Sequence, residues 1–115
     1  MSPTGRIDVG GGVFLSRVTT DDFAADPDVA GTEQHVLYAS DGPSAGMSRV
    51  TSQGDPITWT LPQREFLLVL EGTAQIEITD GPTLELSAGD MATLPAGAET
   101  TWRVSVPFKE FWVLD

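Results

Sequence analysis

The stretch from Glu65 to Trp102, EFLLVLEGTAQIEITDGPTLELSAGDMATLPAGAETTW, does most to limit what this chain can fold into. Turn-forming residues recur throughout it: Gly72, Asp80-Gly81, Ala88-Gly89-Asp90 and Pro95-Ala96-Gly97. The segments between them are too short for helices and have strand periodicity. Ala74, Ile76 and Ile78 alternate with Gln75, Glu77 and Thr79, which puts the apolar set on one face of a strand. Glu65–Leu70 is a continuous apolar run bounded by breakers, as in a strand buried on both faces. Asp80-Gly81 supplies the tight turn of a hairpin.

The same rhythm extends over the rest of the chain. Val13–Val18, His35–Ser40, Met47–Gln53, Ile57–Leu61, Met91–Leu94, Thr101–Val106 and Lys109–Leu114 read as strands. The acidic segment from Thr19 to Gln34, broken by Pro27 and Gly31, reads as a loop with room for one helical turn begun by Thr20 or Asp21. Residues 1–12, with Pro3 and the run Gly10-Gly11-Gly12, read as a flexible lead-in. About nine or ten closely spaced strands and no long helix make an all-β sandwich or barrel, which limits exposed strand edges. At 115 residues the chain suits one domain, taken as residues 13–115.

Composition removes several functions. There are 17 Asp and Glu against 6 Lys and Arg, a formal charge of −11. A nucleic-acid surface needs a basic footprint, and an anionic membrane surface would repel such a chain, so neither partner is expected. There is no cysteine, hence no disulfide, thiolate metal site or cysteine nucleophile. The start MSPTGRIDVGGGVF lacks the pattern of a signal peptide, and no apolar run is long enough to span a bilayer, so the expected location is cytoplasmic. GPSAG is not a nucleophile elbow, and the triple glycine lacks the lysine and helix of a phosphate loop.

The turns carry a resemblance. Glu65, six residues and Gly72 match the end of the first cupin motif; Gly89, five residues, Pro95, Ala96 and Gly97 match the second. The chain therefore resembles the cupins, which implies a double-stranded β-helix, a jelly-roll barrel. The spacing VLEG…GD…LPAG…TW…K.FWV is similar to the small cupins related to ureidoglycine aminohydrolase and the ethanolamine-utilisation cupins. Typical cupins hold a metal with three histidines and the glutamate. Here the histidine positions fall on Thr100 and on Trp59 and Leu61, or on Thr58 and Thr60 if the loop is one residue longer. Glu65 alone is retained, and one carboxylate does not hold a transition metal. The expectation is a barrel without metal or other cofactor, lined by apolar and hydroxyl side chains, that binds a small molecule. Small cupins often pair terminal strands across a dimer, and the resemblance implies a homodimer with the FWVL tail as a contact.

Several residues are candidates for the site. Glu65 points into the barrel, where burial raises a carboxylate's pKa and suits it to acid–base work. The competing reading is a structural ion pair with Arg49, Arg64 or Lys109. His35 is a candidate general base by its pKa, and Lys109 a candidate helper; a structural role for His35 is the competing reading. Arg49 suits a substrate carboxylate. Trp59, Leu61, Leu67, Thr100 and Trp102 are candidate walls, the tryptophans offering flat contact area. Two functions remain open: a metal-independent isomerase, cyclase, lyase or hydrolase working through Glu65, and a non-catalytic ligand-binding or accessory module.

Overall fold

The structure, a computed structural model, describes residues 6–52 and 54–115. Twelve strands and no helix are present among the described residues. They are β1 (Ile7–Gly10), β2 (Val13–Leu15), β3 (Ala24–Ala25), β4 (Glu33–Tyr38), β5 (Ser44–Val50), β6 (Ile57–Thr60), β7 (Glu65–Glu71), β8 (Thr73–Ile78), β9 (Thr83–Ser87), β10 (Met91–Leu94), β11 (Glu99–Val104) and β12 (Phe108–Leu114). A six-stranded sheet, β10-β7-β12-β5-β4-β3, faces a four-stranded sheet, β6-β11-β8-β9, and β1-β2 form a separate ribbon. Every pairing is antiparallel, and neighbours in a sheet are mostly distant in sequence, as in a cupin jelly roll.

The Asp80-Gly81 hairpin forms between β8 and β9, with Glu77 opposite Thr83. The left-handed residue of this turn is Asp80, at φ 58°, with Gly81 N–H bonded to Ile78 O. Asp reaches that region at lower cost than most side chains. At Gly72, φ is 80° and a Cβ would stand 2.5 Å from Pro107 O and 2.8 Å from Ser105 O, so only glycine fits between β7 and β8.

Two N-terminal expectations are corrected. The glycine run does not make a loose lead-in over residues 7–12. Gly11 and Gly12, at φ 64° and 77°, form a two-residue turn joining β1 to β2, and paired positive φ values of this kind match the right-handed twist of the flanking strands. Residues 1–5 of that expected lead-in lie outside the described residues. Nor does a helical turn start at Thr20 or Asp21: Asp22 N–H is bonded to Thr20 Oγ1, and the chain continues into β3, paired with β4.

The core fills the space between the two large sheets. Ile76, Leu61, Val69 and Leu94 are fully buried, with Leu67, Ala74, Trp102 and Phe108 around them. Each large apolar side chain so placed contributes roughly 1.5–3 kcal/mol. This packing occupies only part of the interior. Toward β4, β5, β6, β11 and β12 the sheets separate and leave a cavity of about 300 Å³.

Candidate functional site

Strand alternation decides what enters the cavity. On β12, Phe108, Glu110, Trp112 and Leu114 face it, while Lys109, Phe111 and Val113 take the other face. On β5 the inward set is Ser44, Ser48 and Val50. On β4 it includes Gln34 and Val36. Opposite them, β6 contributes Ile57 and Trp59, β11 contributes Trp102 and Val104, and β7 contributes Glu65. The volume is at the low end for small-molecule sites.

Glu65 and Glu110 are the chemical centre. Both are buried, at 4% and 5% exposure, and their side chains are hydrogen-bonded to each other. Burial raises the Glu65 pKa from its ordinary 4.5 to about 7, with hydrogen bonds to Glu110 and Trp59 pulling the other way. Burial also pushes Glu110 well above the carboxylate range, helped by the Glu65 charge and by the hydrogen bond between them. Two carboxyls in one apolar site cannot both ionise cheaply, so one proton is shared. The expected ion pair of Glu65 with Arg49, Arg64 or Lys109 is not formed; Arg64 bonds Thr93 Oγ1 instead.

Three candidates lie on the opposite face of the six-stranded sheet. His35 is buried there, its Nε2 bonded to Ser16 Oγ at 2.7 Å and its Nδ1 to the Asp22 carbonyl at 2.8 Å. Arg49 pairs with Glu33 at 2.9 Å and Asp21 at 3.5 Å and lies over the Phe23 ring. Lys109 Nζ donates to Val18 O at 2.9 Å. Together they hold residues 16–23 across the outside of the sheet. They are not assembled with Glu65: the structure sets His35 and Lys109, expected in catalysis, and Arg49, expected at a ligand, on the other side of the sheet.

The expected walls divide. Trp59 and Trp102 line the cavity; Leu61 and Leu67 are packed in the core beside it. Thr100 is buried, with its hydroxyl donating to Trp59 O at 2.6 Å and accepting from Trp102 Nε1 at 2.9 Å. It ties the Trp102 indole to the Trp59 backbone and has no remaining proton for a ligand. The sequence reading missed Glu110, Trp112, Ser48 and Thr32. Trp112 is anchored through Nε1 to Ser48 Oγ at 2.8 Å, and Gly46 lets it lie flat, since a Cβ there would stand 3.1 Å from the Trp112 ring and 2.4 Å from His35 O. Glu110 had a readable signal: it is the acidic residue in phase with Phe108, Trp112 and Leu114 on one face of a strand.

A cupin metal does not fit this donor set. The family's histidine positions carry side chains that do not coordinate or are already bonded. Among the described residues no three His, Cys, Asp or Glu come together as a metal cluster. None of the described strands is accompanied by a helix long and apolar enough to cross a membrane.

Residues 44–111 match the EutQ-like cupin domain family. The fold is similar to the EutQ protein of Salmonella typhimurium LT2, with TM-score 0.78 and 20% identity over 95% of this chain and 90% of that one. EutQ of Clostridium difficile aligns with TM-score 0.75 and 22% identity, over 95% and 91% of the two chains. An RmlC-like cupin from Shewanella frigidimarina aligns with TM-score 0.70 and 13% identity, over 95% and 91%. No curated protein matches the sequence. At these identities the structural likeness speaks for the fold.

Proposed function

The chain belongs to the EutQ-like cupin family, and from that premise we propose that it binds a small metabolite in the barrel and acts on it by metal-independent proton transfer through Glu65 and Glu110. The observation that carries this reading is the buried carboxyl pair, hydrogen-bonded side chain to side chain, in the wall of a cavity with three indoles. Acid–base catalysis works best when a group titrates near the working pH, and when two groups titrate apart, one is available as base and the other as acid. Glu65, titrating at about 7, is the base. Glu110, likewise raised well above the ordinary carboxylate range by its burial, is the acid. Isomerisation, cyclisation, elimination and hydrolysis all need such a pair. Trp59 lines the cavity with Glu65, and Trp102 and Trp112 hold the apolar part of the substrate.

Incubation with pools of small metabolites in deuterated water, with a chelator present, tests this. We expect conversion, or deuterium entering a ligand, that is lost in both Glu65→Gln and Glu110→Gln while the fold persists. Carboxyl carbon titrations of the wild type should show both groups titrating above the ordinary carboxylate range, Glu65 near neutrality. Ordinary titration of both carboxyls at roughly 4.3, or conversion surviving in the double variant, overturns the reading. Ligand binding without conversion would make the protein a binding module instead.

A further inference from the structure

Four residues of the cavity lining are acidic, Asp26, Asp28, Glu65 and Glu110, and none among the described residues is Lys, Arg or His. The basic side chains nearest in sequence are engaged elsewhere: Arg49 with Glu33, Lys109 with Val18, Arg64 with Thr93 and Arg103 with Glu77. Nothing in the wall can offset the charge of an entering carboxylate or phosphate, and the net charge of −11 adds a repulsive field that the concave wall concentrates. A cation meets the reverse. It finds a carboxyl pair able to lose its shared proton, and the faces of Trp59, Trp102 and Trp112, which attract positive charge.

A second observation also points to a ligand. Thr32 is buried, at 9% exposure, and lines the same cavity, yet its hydroxyl has no hydrogen-bond partner. Buried polar atoms are rarely left unpaired, because each costs about 1–3 kcal/mol. The unpaired Thr32 hydroxyl lies enclosed in the wall on the side of the cavity where Asp26 N–H bonds Thr32 O.

We propose that the cavity selects a small organic cation, an ammonium or guanidinium on an apolar body, with the charge at Glu65 and Glu110 and the body against the tryptophans. The proposal rests on the reading of the cavity as a small-molecule site and names the class of molecule it takes. The titratable groups facing the guest are Glu65 on β7, Glu110 on β12, and Asp26 and Asp28 on the segment before β4; β4, β5, β6 and β11 place no ionisable side chain in the wall. The cation needs Glu65 ionised. Binding therefore strengthens as pH rises through the Glu65 transition, and the bound cation in turn lowers that transition.

Benzylamine, benzyl alcohol and benzoate have the same ring and differ in charge, which makes them suitable probes. The Nε1–H signals of Trp59, Trp102 and Trp112 in labelled protein report their binding. At about pH 8 benzylamine should bind at least about ten-fold more tightly than either of the others, and at about pH 5.5 this advantage should shrink. In a Glu65→Gln/Glu110→Gln double variant the preference of benzylamine over benzyl alcohol should vanish. If that variant fails to fold, the charge series and the pH arm on the wild type still decide. Tighter binding of benzoate or benzyl alcohol overturns the cation preference and leaves the small-molecule reading standing. No shift of any indole with any probe overturns both.

Discussion

Glu65 and Glu110 meet side chain to side chain although Glu65 is paired with Leu114 and Glu110 with Val69, toward opposite ends of the β7–β12 ladder. Both are buried in one desolvated site. That arrangement costs stability when either group ionises, and it predicts a pH dependence. A carboxylate whose folded pKa lies above its unfolded value binds more protons folded than unfolded, so stability falls as pH rises between the two values. For Glu65 the window runs from 4.5 to about 7, and the full cost above it is on the order of 3 kcal/mol. Glu110, raised in the same direction, adds to the fall. The melting temperature should therefore decline from about pH 5 to about pH 8, and calorimetry across that range, compared with the amide variants, checks it.

Replacing one member of the pair should relieve this cost. Glu65→Gln keeps a hydrogen bond to Glu110 and removes a charge, so at about pH 8 the variant should be as stable as the wild type or more so, by about 1–2 kcal/mol. Glu110→Gln should behave alike. The double variant should gain less than the sum, because each single change has already removed the mutual repulsion. Urea denaturation of the four proteins measures the coupling; strict additivity would mean that the carboxyls do not interact.

The outer latch makes a contrasting set. His35→Ala removes a buried ring and its bonds to Ser16 and Asp22, and should cost about 2–4 kcal/mol. Lys109→Ala loses only a partly exposed bond to Val18 and should stay within about 0.5 kcal/mol. Both changes should speed amide exchange in the segment before β3 and leave probe binding in the cavity untouched. A loss of cavity binding in His35→Ala, in a variant that still folds, would contradict this separation of faces.

Gly72→Ala should destabilise by about 2 kcal/mol or more. The added methyl meets Pro107 O and Ser105 O at 2.5 and 2.8 Å, and both are backbone atoms that cannot rotate away. A thermal melt checks it. The same change at Gly97, where a Cβ would meet nothing within 4 Å, should cost only the strain of positive φ, about 1 kcal/mol.

The outward face of β7, β10 and β12 is apolar. Phe66 is 44% exposed and Met91 78%, next to Leu68, Phe111 and Val113 in the ladders. Such a face on a sheet is suited to a second copy of the chain, and light scattering at high concentration should give twice the chain mass. Phe66→Arg with Met91→Lys should return it to a monomer. A monomeric wild type would rule out this surface as the contact.

How legible the molecule was depends on which face of a strand each argument needed. The β8–β9 hairpin, the β7 run and the glycine turns were readable because backbone sterics act locally: a positive φ or a period of two leaves its mark on consecutive residues. The inward direction of Glu65, Trp59 and Trp102 followed from the family's motif. For β4 and β5 the pattern was silent. The outer face of their sheet is covered by residues 16–23, so His35, Met47 and Arg49 are buried or partly buried there just as Val36, Ser48 and Val50 are on the inside. With both faces covered, alternation no longer tells inside from outside. The meeting of Glu65 with Glu110, 45 positions later by their numbers, belongs to tertiary structure alone. It depends on β12 pairing with β7 rather than with its neighbour in sequence, and no local preference of either strand encodes that choice. The strands and turns came from interactions between near neighbours; the site came from which strands the closed barrel set side by side, because a carboxyl's chemistry is decided by what is packed around it.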